Sequence, residues 1–457
     1  MNSTAQPEQS SQKPGYSASD TPDNLLTLLQ ALMATKGKKA LRIDFLAPPF
    51  AGHLHPVLAL ARAAATEHSV QVISTPAAGK AIAQAGLQAH SVLEGSNADE
   101  MLDQIANPGK AVRSNPLALW RQFRAALRLF RQFRTELDQH YRTQTKPDLI
   151  IADFTLPLAG IIAQQHQISW WTSMPSPCVI ETSDGPPAYC GGLQPPENRW
   201  QYWLQWLHRK KVRCFKRIVF TLCYPLLRRL GVRTLYRADG SEAAYSPDCI
   251  LALADPALEF PRNWPQALQF IGPALYTPPL TTPEPQFDAE RPAILITLGT
   301  HLHWQKDAVV AALSELAAIC PEWDFHFSDG RHDQQHQALR SNLHRYSYIS
   351  YQSHLAKYAA VIHHGGAGIM YHCLQQAIPA LVWPQDFDQF DHAARLEAAG
   401  KAVWLRNGLG NAQAIRRLLA DCLQQRAIKV DEVRSTVLIE SQPSPKAINQ
   451  YAAQSLF

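Results

Sequence analysis

The chain has 457 residues, of which 46% are hydrophobic and 18% charged, and its formal net charge is +5. This composition is typical of a globular enzyme and excludes a fibrous or wholly disordered protein, and the length favours two domains. The eight cysteines include no Cys-x-x-Cys pair, which argues against a structural zinc site or a disulfide framework and fits a reducing compartment.

The N-terminal segment precedes the first predicted strand. Its first 20 residues are rich in Ser, Gln and Pro and contain no apolar core, so we expect no secretory signal and a disordered extension over residues 1–38. No uninterrupted apolar run approaches the ~18 residues that a membrane span needs. We therefore expect a cytoplasmic protein whose only membrane contact would be peripheral, at the inner face.

Apolar strands alternate with helices in two blocks. The first block, assigned to a domain over residues 39–272, contains strands at 41–47, 70–74 and 148–153 and helices at 55–66, 77–85 and 117–140. The second, over residues 292–440, contains strands at 293–298, 323–327, 361–364 and 380–383 and a helix at 309–318. A proline-dense linker, 273–291, joins them, and residues 441–457 are assigned to a C-terminal helix that returns to the first domain. Near-continuous apolar strands separated by helices predict an α/β fold of two doubly wound parallel sheets facing across a cleft.

A glycine-dense turn follows one strand of the second block. The sequence from Val361 reads Val-Ile-His-His-Gly-Gly-Ala-Gly, so that His364 stands at the strand end, before Gly365, Gly366 and Gly368. A turn without side chains lets backbone N–H groups and the start of the next helix face one anionic group. The missing last glycine of a G-x-G-x-x-G fingerprint disfavours a dehydrogenase.

Two polar residues, Asp388 and Gln389, follow the next strand and so lie at the same edge of the sheet. A diphosphate joined to a hydroxyl-rich group would satisfy the glycine turn and this pair together, which describes a nucleotide sugar. Asp386-Phe387-Asp388 has the spacing of a D-x-D metal motif, but a sugar-binding Asp388 explains the pair. His301, His303 and the histidines at 332–336 are interpreted as surface residues, so no metal site is predicted.

A basic aromatic segment lies in the first block. Residues 198–238 contain eleven Lys and Arg and no Asp or Glu, and Trp200, Trp203 and Trp206 recur on one helical face. Aromatic anchors beside a cationic stripe are typical of a helix on an anionic lipid surface. The alternative is a lid over an apolar acceptor pocket with its charges in solvent. No nucleic-acid recognition module accompanies the charge, so nucleic-acid binding is not expected.

The block from His364 to Gln389, set in this two-domain layout, resembles the donor-binding segment of family-1 glycosyltransferases, which have the GT-B fold. The segment Ala47-Pro-Pro-Phe-Ala-Gly-His53-Leu-His-Pro56 is similar to the acceptor-side Gly-His-x-x-Pro loop of this family, and its start is especially similar to carotenoid glucosyltransferases. The segments at 258–262, 270–273 and 298–300 are also similar to family segments. The resemblance covers roughly residues 40–440 and is weak from about 190 to 245.

The resemblance implies roles for individual residues. His53 matches the general base that deprotonates the acceptor hydroxyl, and Asp153 matches the carboxylate that orients it, as the low acidity of an alcohol requires. His55 is an alternative base. On the donor side, the resemblance implies that His364 and the glycines hold the diphosphate, that Asp388 and Gln389 bind the sugar, and that Thr300 contacts phosphate or sugar. The full donor set is Thr300, His364, Gly365, Gly366, Gly368, His372, Asp388 and Gln389.

Departures from the family pattern bear on the nucleotide. His372 stands where the family usually has an acidic residue that holds both ribose hydroxyls, and Ile369 replaces a usual Ser or Thr. A carboxylate accepts two hydrogen bonds, whereas a neutral imidazole accepts one. A UDP-sugar is the first expectation, and a dTDP-sugar stays open because deoxyribose lacks the 2′-hydroxyl.

These observations predict an inverting, metal-independent glycosyltransferase without a cofactor. Its substrates would be a nucleotide-diphosphate sugar and the hydroxyl of a hydrophobic small molecule or lipid. Two alternatives remain: a sugar-nucleotide epimerase of the same fold, and a catalytically inactive binding partner that keeps the fold.

Overall fold

The computed structural model describes residues 20–95, 97–98, 100–102, 116–278, 283–300, 303–330 and 336–425. The elements of the N-terminal domain are, in chain order, α1 (Thr21–Lys36), β1 (Arg42–Leu46), α2 (Ala51–Ala64), β2 (Ser69–Ser74), α3 (Gly79–Gln84), β3 (Gln88–Ser91), α4 (Pro116–Thr143), β4 (Leu149–Asp153), α5 (Leu158–His166), β5 (Ser169–Met174), α6 (Arg199–Arg229), β6 (Ile250–Ala252) and β7 (Leu268–Phe270).

The elements of the C-terminal domain follow after the linker. They are β8 (Ala293–Thr297), α7 (His303–Ile319), β9 (Asp324–Ser328), β10 (Gln337–Arg340), β11 (Leu343–Tyr346), α8 (Tyr351–His354), β12 (Ala360–His363), α9 (Ala367–Gln375), β13 (Ala380–Val382), α10 (Gln389–Ala398), β14 (Val403–Trp404) and α11 (Ala412–Gln425). Short 3₁₀ turns occur at Pro76–Ala78, Pro177–Val179 and Leu355–Lys357.

Each domain is built on a seven-stranded sheet. The strand orders are β3-β2-β1-β4-β5-β6-β7 and β10-β11-β9-β8-β12-β13-β14, and all neighbours are parallel except β10 and β11. The order reverses beside β1 in the first sheet and beside β8 in the second. Ligands of open α/β sheets bind at such reversal points, beyond the carboxyl ends of the strands. The predicted fold class, α/β with two doubly wound domains of GT-B type, is confirmed.

The central strands are apolar along their whole length because helices cover both faces of each sheet. Every residue of β4 and β8 is buried, and β12 is buried as well. Two large apolar clusters fill the space between the helices and each sheet, one around Phe45 and Leu58 in the first domain and one around Phe325 and Leu313 in the second.

The predicted disordered extension over residues 1–38 is wrong for its second half. Residues 21–36 form α1, and Leu25 and Leu29 are fully buried in the core of the first domain. The Thr21 hydroxyl donates to the Pro273 carbonyl over 3.0 Å, and the Asn24 side chain donates to the Ile271 carbonyl over 3.0 Å. Burial of two leucines contributes roughly 3–6 kcal/mol, which holds a helix that follows a polar segment. Residues 1–19 lie outside the described part.

Other element boundaries also differ from the predictions. Helix α2 begins at Ala51, not near His55, so His53 lies in its first turn and Pro56 lies inside the helix. Helices α4 and α7 are longer than expected, and the strands β3, β5, β6, β7, β10, β11 and β14 were not predicted. The predicted C-terminal helix at 441–457 lies outside the described residues.

The two domains contact each other directly through side chains. The buried Arg395 of α10 binds Glu259 over 2.8 Å, and the Tyr371 hydroxyl of α9 accepts from the Asp255 backbone over 3.0 Å. Helix α2 also packs beside α9. In the part of the chain that the structure describes, no helix combines the length and the apolar character that crossing a membrane requires.

Candidate active site

His53 and Asp153 lie at the reversal point of the first sheet. Strands β1 and β4 are neighbours, with Leu46 opposite Ala152, so the first turn of α2 and the end of β4 meet at one edge. The Nδ1 of His53 lies 3.1 and 3.2 Å from the two carboxylate oxygens of Asp153. Asp153 is buried, and both the backbone N–H and the hydroxyl of Thr155 donate to its Oδ1. These two donor groups of Thr155 hold the Asp153 carboxylate in the position where it accepts the N–H of His53.

The charge state of His53 is set by opposing influences. Burial acts to lower its pKa, but the charge and hydrogen bond of Asp153 and the charge of Asp388 raise the pKa above the ordinary value of 6.5. The ring also packs against Phe154, with centroids 5.5 Å apart. Because Nδ1 faces Asp153, Nε2 is the atom that would accept a proton from a substrate.

His55, the alternative base, lies on the other side of α2. Its ring contacts Tyr276 of the linker, with centroids 5.7 Å apart in an edge-to-face arrangement. Two residues along a helix differ by about 200° in direction, so His53 and His55 cannot share one partner. The structure therefore brings only His53 to the Asp153 carboxylate.

His364 lies at the reversal point of the second sheet. It follows β12, the neighbour of β8, with His363 opposite Thr297. A β-carbon added to Gly299 would come within 2.9 Å of the His364 ring, and one added to Gly366 within 2.5 Å of its Nε2. The ring thus occupies the space that two missing side chains leave free.

The hydrogen bonding of His364 defines its tautomer. Its Nδ1 lies 3.4 Å from the carbonyl oxygen of Thr297, which can only accept, so Nδ1 carries the proton. Burial lowers the pKa of His364 to about 4, although the bond to Thr297 and the charge of Asp388 oppose this shift. The neutral ring therefore presents the lone pair of Nε2.

The glycine turn is held by two further histidines. Gly365 has φ +90°, where a side chain would be strained, and its N–H donates to Nδ1 of His363 over 3.0 Å. The Nδ1–H of His392 donates to the Gly365 carbonyl over 2.7 Å. His392 therefore fixes the turn. Gly368 lies in the first turn of α9, with open space around its α-carbon.

Asp388 and Gln389 begin α10, next to the glycine turn. The Oε1 of Gln389 accepts from the backbone N–H groups of Gln385 and Asp386, over 2.8 and 3.1 Å, so this side chain shapes the loop that precedes it. Asp388 is half-buried and lies 3.9 Å from Nε2 of His392. Its charge also contributes to raising the pKa of His53, so Asp388 of the second domain lies within electrostatic range of His53 of the first.

The two other predicted donor residues are His372 and Thr300. His372 is buried on α9, where its Nε2 lies 3.5 Å from the hydroxyl of Thr277 in the linker and its ring contacts Tyr351. Burial lowers the pKa of His372 to about 4. Thr300 is half-buried in the loop after β8 and packs against Gly330.

Sequence reasoning missed Lys306. This side chain is fully buried beneath the loop that follows β8, where its ammonium group donates to the Gly299 carbonyl over 3.0 Å and to the Asp329 carbonyl. The carboxylate of Asp329 lies 3.9 Å away and also binds Arg345. Lys306 thereby joins the loops after β8 and β9. A lone lysine in an amphipathic helix gives no sequence signal of such a role.

Among the described residues, no group of three or more His, Cys, Asp or Glu side chains is arranged to hold a metal ion. Asp386 is buried, and its Oδ1 accepts from the backbone N–H of Phe387 over 2.9 Å. His301 and His332 lie outside the described residues.

Comparison with known proteins gives a consistent set of relatives. Residues 311–454 match the family model described as "Erythromycin biosynthesis protein CIII-like, C-terminal domain". A PGL/p-HBAD biosynthesis glycosyltransferase of Mycobacterium tuberculosis is 27% identical over 217 residues, which are 46% of this chain and 50% of the relative. The UDP-glucosyltransferase A1 of Starmerella bombicola is 26% identical over 217 residues, which are 44% and 45% of the two chains. The chain thus spans about half the length of these relatives.

Solved structures resemble the chain over most of its length. The glycotransferase of kitacinnamycin is 19% identical with a TM-score of 0.63, covering 91% of this chain and 97% of its own. SnogD from Streptomyces nogalater is 21% identical with a TM-score of 0.56, covering 91% and 99%. VinC in complex with dTDP is 18% identical with a TM-score of 0.54, covering 86% and 94%. At these identities the likeness shows the fold. The family model and the relatives agree with the predicted resemblance to family-1 glycosyltransferases, and the solved structures share the two-domain fold.

Proposed function

We propose that the chain is an inverting glycosyltransferase, which moves a sugar from a nucleotide-diphosphate donor to the hydroxyl of a hydrophobic small molecule or lipid. One observation carries the proposal. The His53–Asp153 pair of the first domain lies within electrostatic range of Asp388 in the second domain. A base for the acceptor and a carboxylate suited to sugar hydroxyls therefore meet across the cleft, beside the His364 turn.

On the acceptor side, Nε2 of His53 would take the proton of the attacking hydroxyl. The alcohol is a poor nucleophile until a base removes its proton during attack. Asp153 holds the N–H of the same ring and stabilises the positive charge that forms on it. Attack from the face opposite the diphosphate inverts the configuration of the anomeric carbon.

On the donor side, negative charge grows on the diphosphate as the glycosidic bond breaks. The first turn of α9 points unpaired backbone N–H groups and the positive end of its dipole toward this charge. Such preorganised groups stabilise a leaving group without rearranging. His364 lies beside that turn and would add a further donor once its Nε2 is protonated. We also propose that transfer needs no metal ion or cofactor, which an assay with a chelator checks.

The donor nucleotide is a second part of the proposal. A UDP-sugar is the first expectation, and a relative in Starmerella bombicola is named a UDP-glucosyltransferase. One observation favours dTDP: the buried imidazole of His372 offers no carboxylate for two ribose hydroxyls. Thermal-shift measurements with UDP, dTDP and GDP decide between them, because a ligand that binds only the folded state raises its melting temperature. A shift with dTDP alone would show the UDP assignment to be wrong.

Proton NMR of the reaction tests the proposed chemistry. The chain is mixed with an α-linked UDP- or dTDP-sugar and a panel of hydrophobic alcohols and phenols. We expect a β-linked product that forms only when an acceptor is present. A retained α-linkage would refute inversion, and an epimerised donor without acceptor would identify the epimerase alternative. The relatives and structures named above are all called glycosyltransferases, and none of these names indicates an epimerase.

A further inference from the structure

The outer face of α6 is a surface feature that the proposed function leaves unexplained. We propose that this face docks on the surface of a bilayer that contains anionic lipids. Eight large hydrophobic side chains of α6 are exposed, with Leu222 73% and Trp200 67% accessible: Trp200, Tyr202, Trp203, Leu204, Trp206, Ile218, Leu222 and Tyr224. Exposed apolar side chains in this number on one element indicate an interaction site.

Five of the eight exposed side chains share one face of α6 because of their spacing. Trp200, Trp203, Leu204, Ile218 and Leu222 recur at helical intervals, so they lie on one side of a helix about 46 Å long. The rings of Trp200 and Trp203 stack with centroids 5.0 Å apart. Indole rings prefer the interfacial region of a membrane, where their apolar body and polar N–H are both satisfied.

The opposite side of α6 anchors the helix to the domain. The buried ammonium group of Lys216 binds Glu181 over 2.6 Å and Glu242 over 2.9 Å. The side chain of Gln205 donates to the Gln194 carbonyl over 2.7 Å. These contacts fix which face of the helix is turned outward.

Positive charge accompanies the apolar face. The exposed cations of α6 and the loop that follows are Arg199, Lys210, Lys211, Arg217, Arg228, Arg229 and Arg233. Near the end of α6, an open cleft of about 590 Å³ is lined by Arg134, Tyr224, Arg228, Arg229, Gly231 and Arg233. Four guanidinium groups around one opening match the phosphates of lipid headgroups, since Arg binds phosphate in a forked geometry.

The position of α6 relates this face to the active site. Gln194, which Gln205 holds, also donates to Glu397 of the C-terminal domain over 3.2 Å. The tryptophans at the start of α6 therefore follow directly after a segment that bridges the two domains. If the acceptor is a lipid, a claim that rests on the proposed function, docking would hold the cleft beside the phase that contains it.

Vesicle flotation with the full chain tests the docking. We expect binding to vesicles of phosphatidylcholine with phosphatidylglycerol, weak binding to phosphatidylcholine alone, and release at high salt, because screening weakens the attraction. The double variant K210Q/K211Q should bind the anionic vesicles roughly 20–30-fold more weakly, since each cation near the surface contributes about fivefold. The matched control K36Q/K39Q removes two exposed charges, one at the end of α1 and one shortly after it, and should bind as the unchanged chain does.

The variant W200S/W203S separates the aromatic contribution from charge. It should lose vesicle binding together with the blue shift of tryptophan fluorescence on lipid addition. Equal vesicle binding by K210Q/K211Q, W200S/W203S and the control would overturn the proposal. A concentration-dependent dimer in sedimentation equilibrium that W200S/W203S abolishes would also overturn it, because the face would then be a subunit interface. Sugar transfer to a water-soluble phenol, measured without vesicles, reports on the proposed function separately.

Discussion

At the scale of single residues, the balance of charges around His53 determines when it can act as a base. Asp153 and Asp388 raise its pKa above 6.5 in spite of burial. A base must be neutral to accept a proton, so the rate should be low when the pH is below this pKa and rise as the pH passes it. Because the pKa of His53 is raised, the loss of the neutral base begins at a higher pH than for an ordinary histidine.

We predict that kcat/KM rises with pH through an apparent pKa above 6.5 and that D153N moves this limb to lower pH. Loss of the carboxylate removes the negative charge that raises the pKa of His53 most. It also removes the hydrogen bond that holds the imidazole ring in one orientation. The rate at neutral pH should fall by roughly 10²–10⁴-fold, as for other oriented bases. A pH–rate profile provides the measurement, with H55Q as control because His55 faces Tyr276. An unshifted acid limb in D153N would contradict the assignment.

His364 gives a second prediction at this scale. Its Nδ1–H is directed at the Thr297 carbonyl, so Nε2 must gain a proton before it can donate to a phosphate. An anion at Nε2 raises the pKa of the ring from about 4. Nucleotide diphosphate binding should therefore take up protons. It should also tighten as the pH falls toward the pKa that His364 has in the complex.

Calorimetry in buffers of different ionisation enthalpy measures this proton uptake. The variant H364Q keeps a hydrogen-bond donor that needs no protonation, so its binding should not depend on pH in this range. Equal proton uptake by H364Q and the unchanged chain would show that another group titrates.

His364 could be predicted from the sequence because it ends an apolar strand before a glycine-dense turn, whereas His53 and its partner Asp153 were assigned through the family resemblance. Lys306 was beyond such reasoning. Its partners are the carbonyls of Gly299 and Asp329, which come together only when β8 and β9 pair in the folded sheet.

At the scale of elements, the turn between β12 and α9 depends on close approach between backbone and ring. We predict that G366A weakens nucleotide diphosphate binding by roughly 5–100-fold, since overpacking of this kind typically costs about 1–3 kcal/mol. The added methyl group would lie 2.5 Å from Nε2 of His364 and displace the ring. Calorimetric titration measures the effect. G79A is the control, because no atom lies within 4 Å of its added methyl group, and equal affinities of both variants would contradict this account.

The loops after β8 and β9 depend on the buried charge of Lys306. We predict that K306M lowers the free energy of unfolding by roughly 3 kcal/mol, because two carbonyls and part of the Asp329 charge lose their partner in the interior. Guanidinium unfolding measures the change, with exposed Lys401 replaced by Met as control. An unchanged unfolding midpoint in K306M would show that the carbonyls find other donors.

Element prediction succeeded where apolar periodicity was strong and failed where tertiary contacts decide. The strands β1, β4, β8 and β12 were found because they are nearly continuous apolar runs. Helix α1 was missed because a polar segment precedes it and its stability comes from burial of Leu25 and Leu29 against the first sheet. The short strands β6 and β7 have three residues each, too few for a periodic signal.

At the scale of the whole molecule, the two domains are joined by specific contacts on one side of the cleft. The backbone N–H of Tyr189 donates to Asp391 over 2.9 Å, and a β-carbon at Gly192 would lie 2.3 Å from the Phe390 carbonyl. Tyr189 and Gly192 lie where the family resemblance begins to weaken. The sequence therefore predicted a cleft between the domains but not the contacts that join them. Closure of this kind excludes water and limits hydrolysis of the donor.

The central claim is that His53, facing the diphosphate turn across the cleft, is the base of a sugar transfer. The most direct test is the rate of single-turnover transfer by H53A, with the donor dissociation constant of the same variant measured by calorimetry. We predict that transfer slows by roughly 10²–10⁴-fold while donor binding is unchanged, because His53 acts on the acceptor. Transfer at an undiminished rate would contradict the claim.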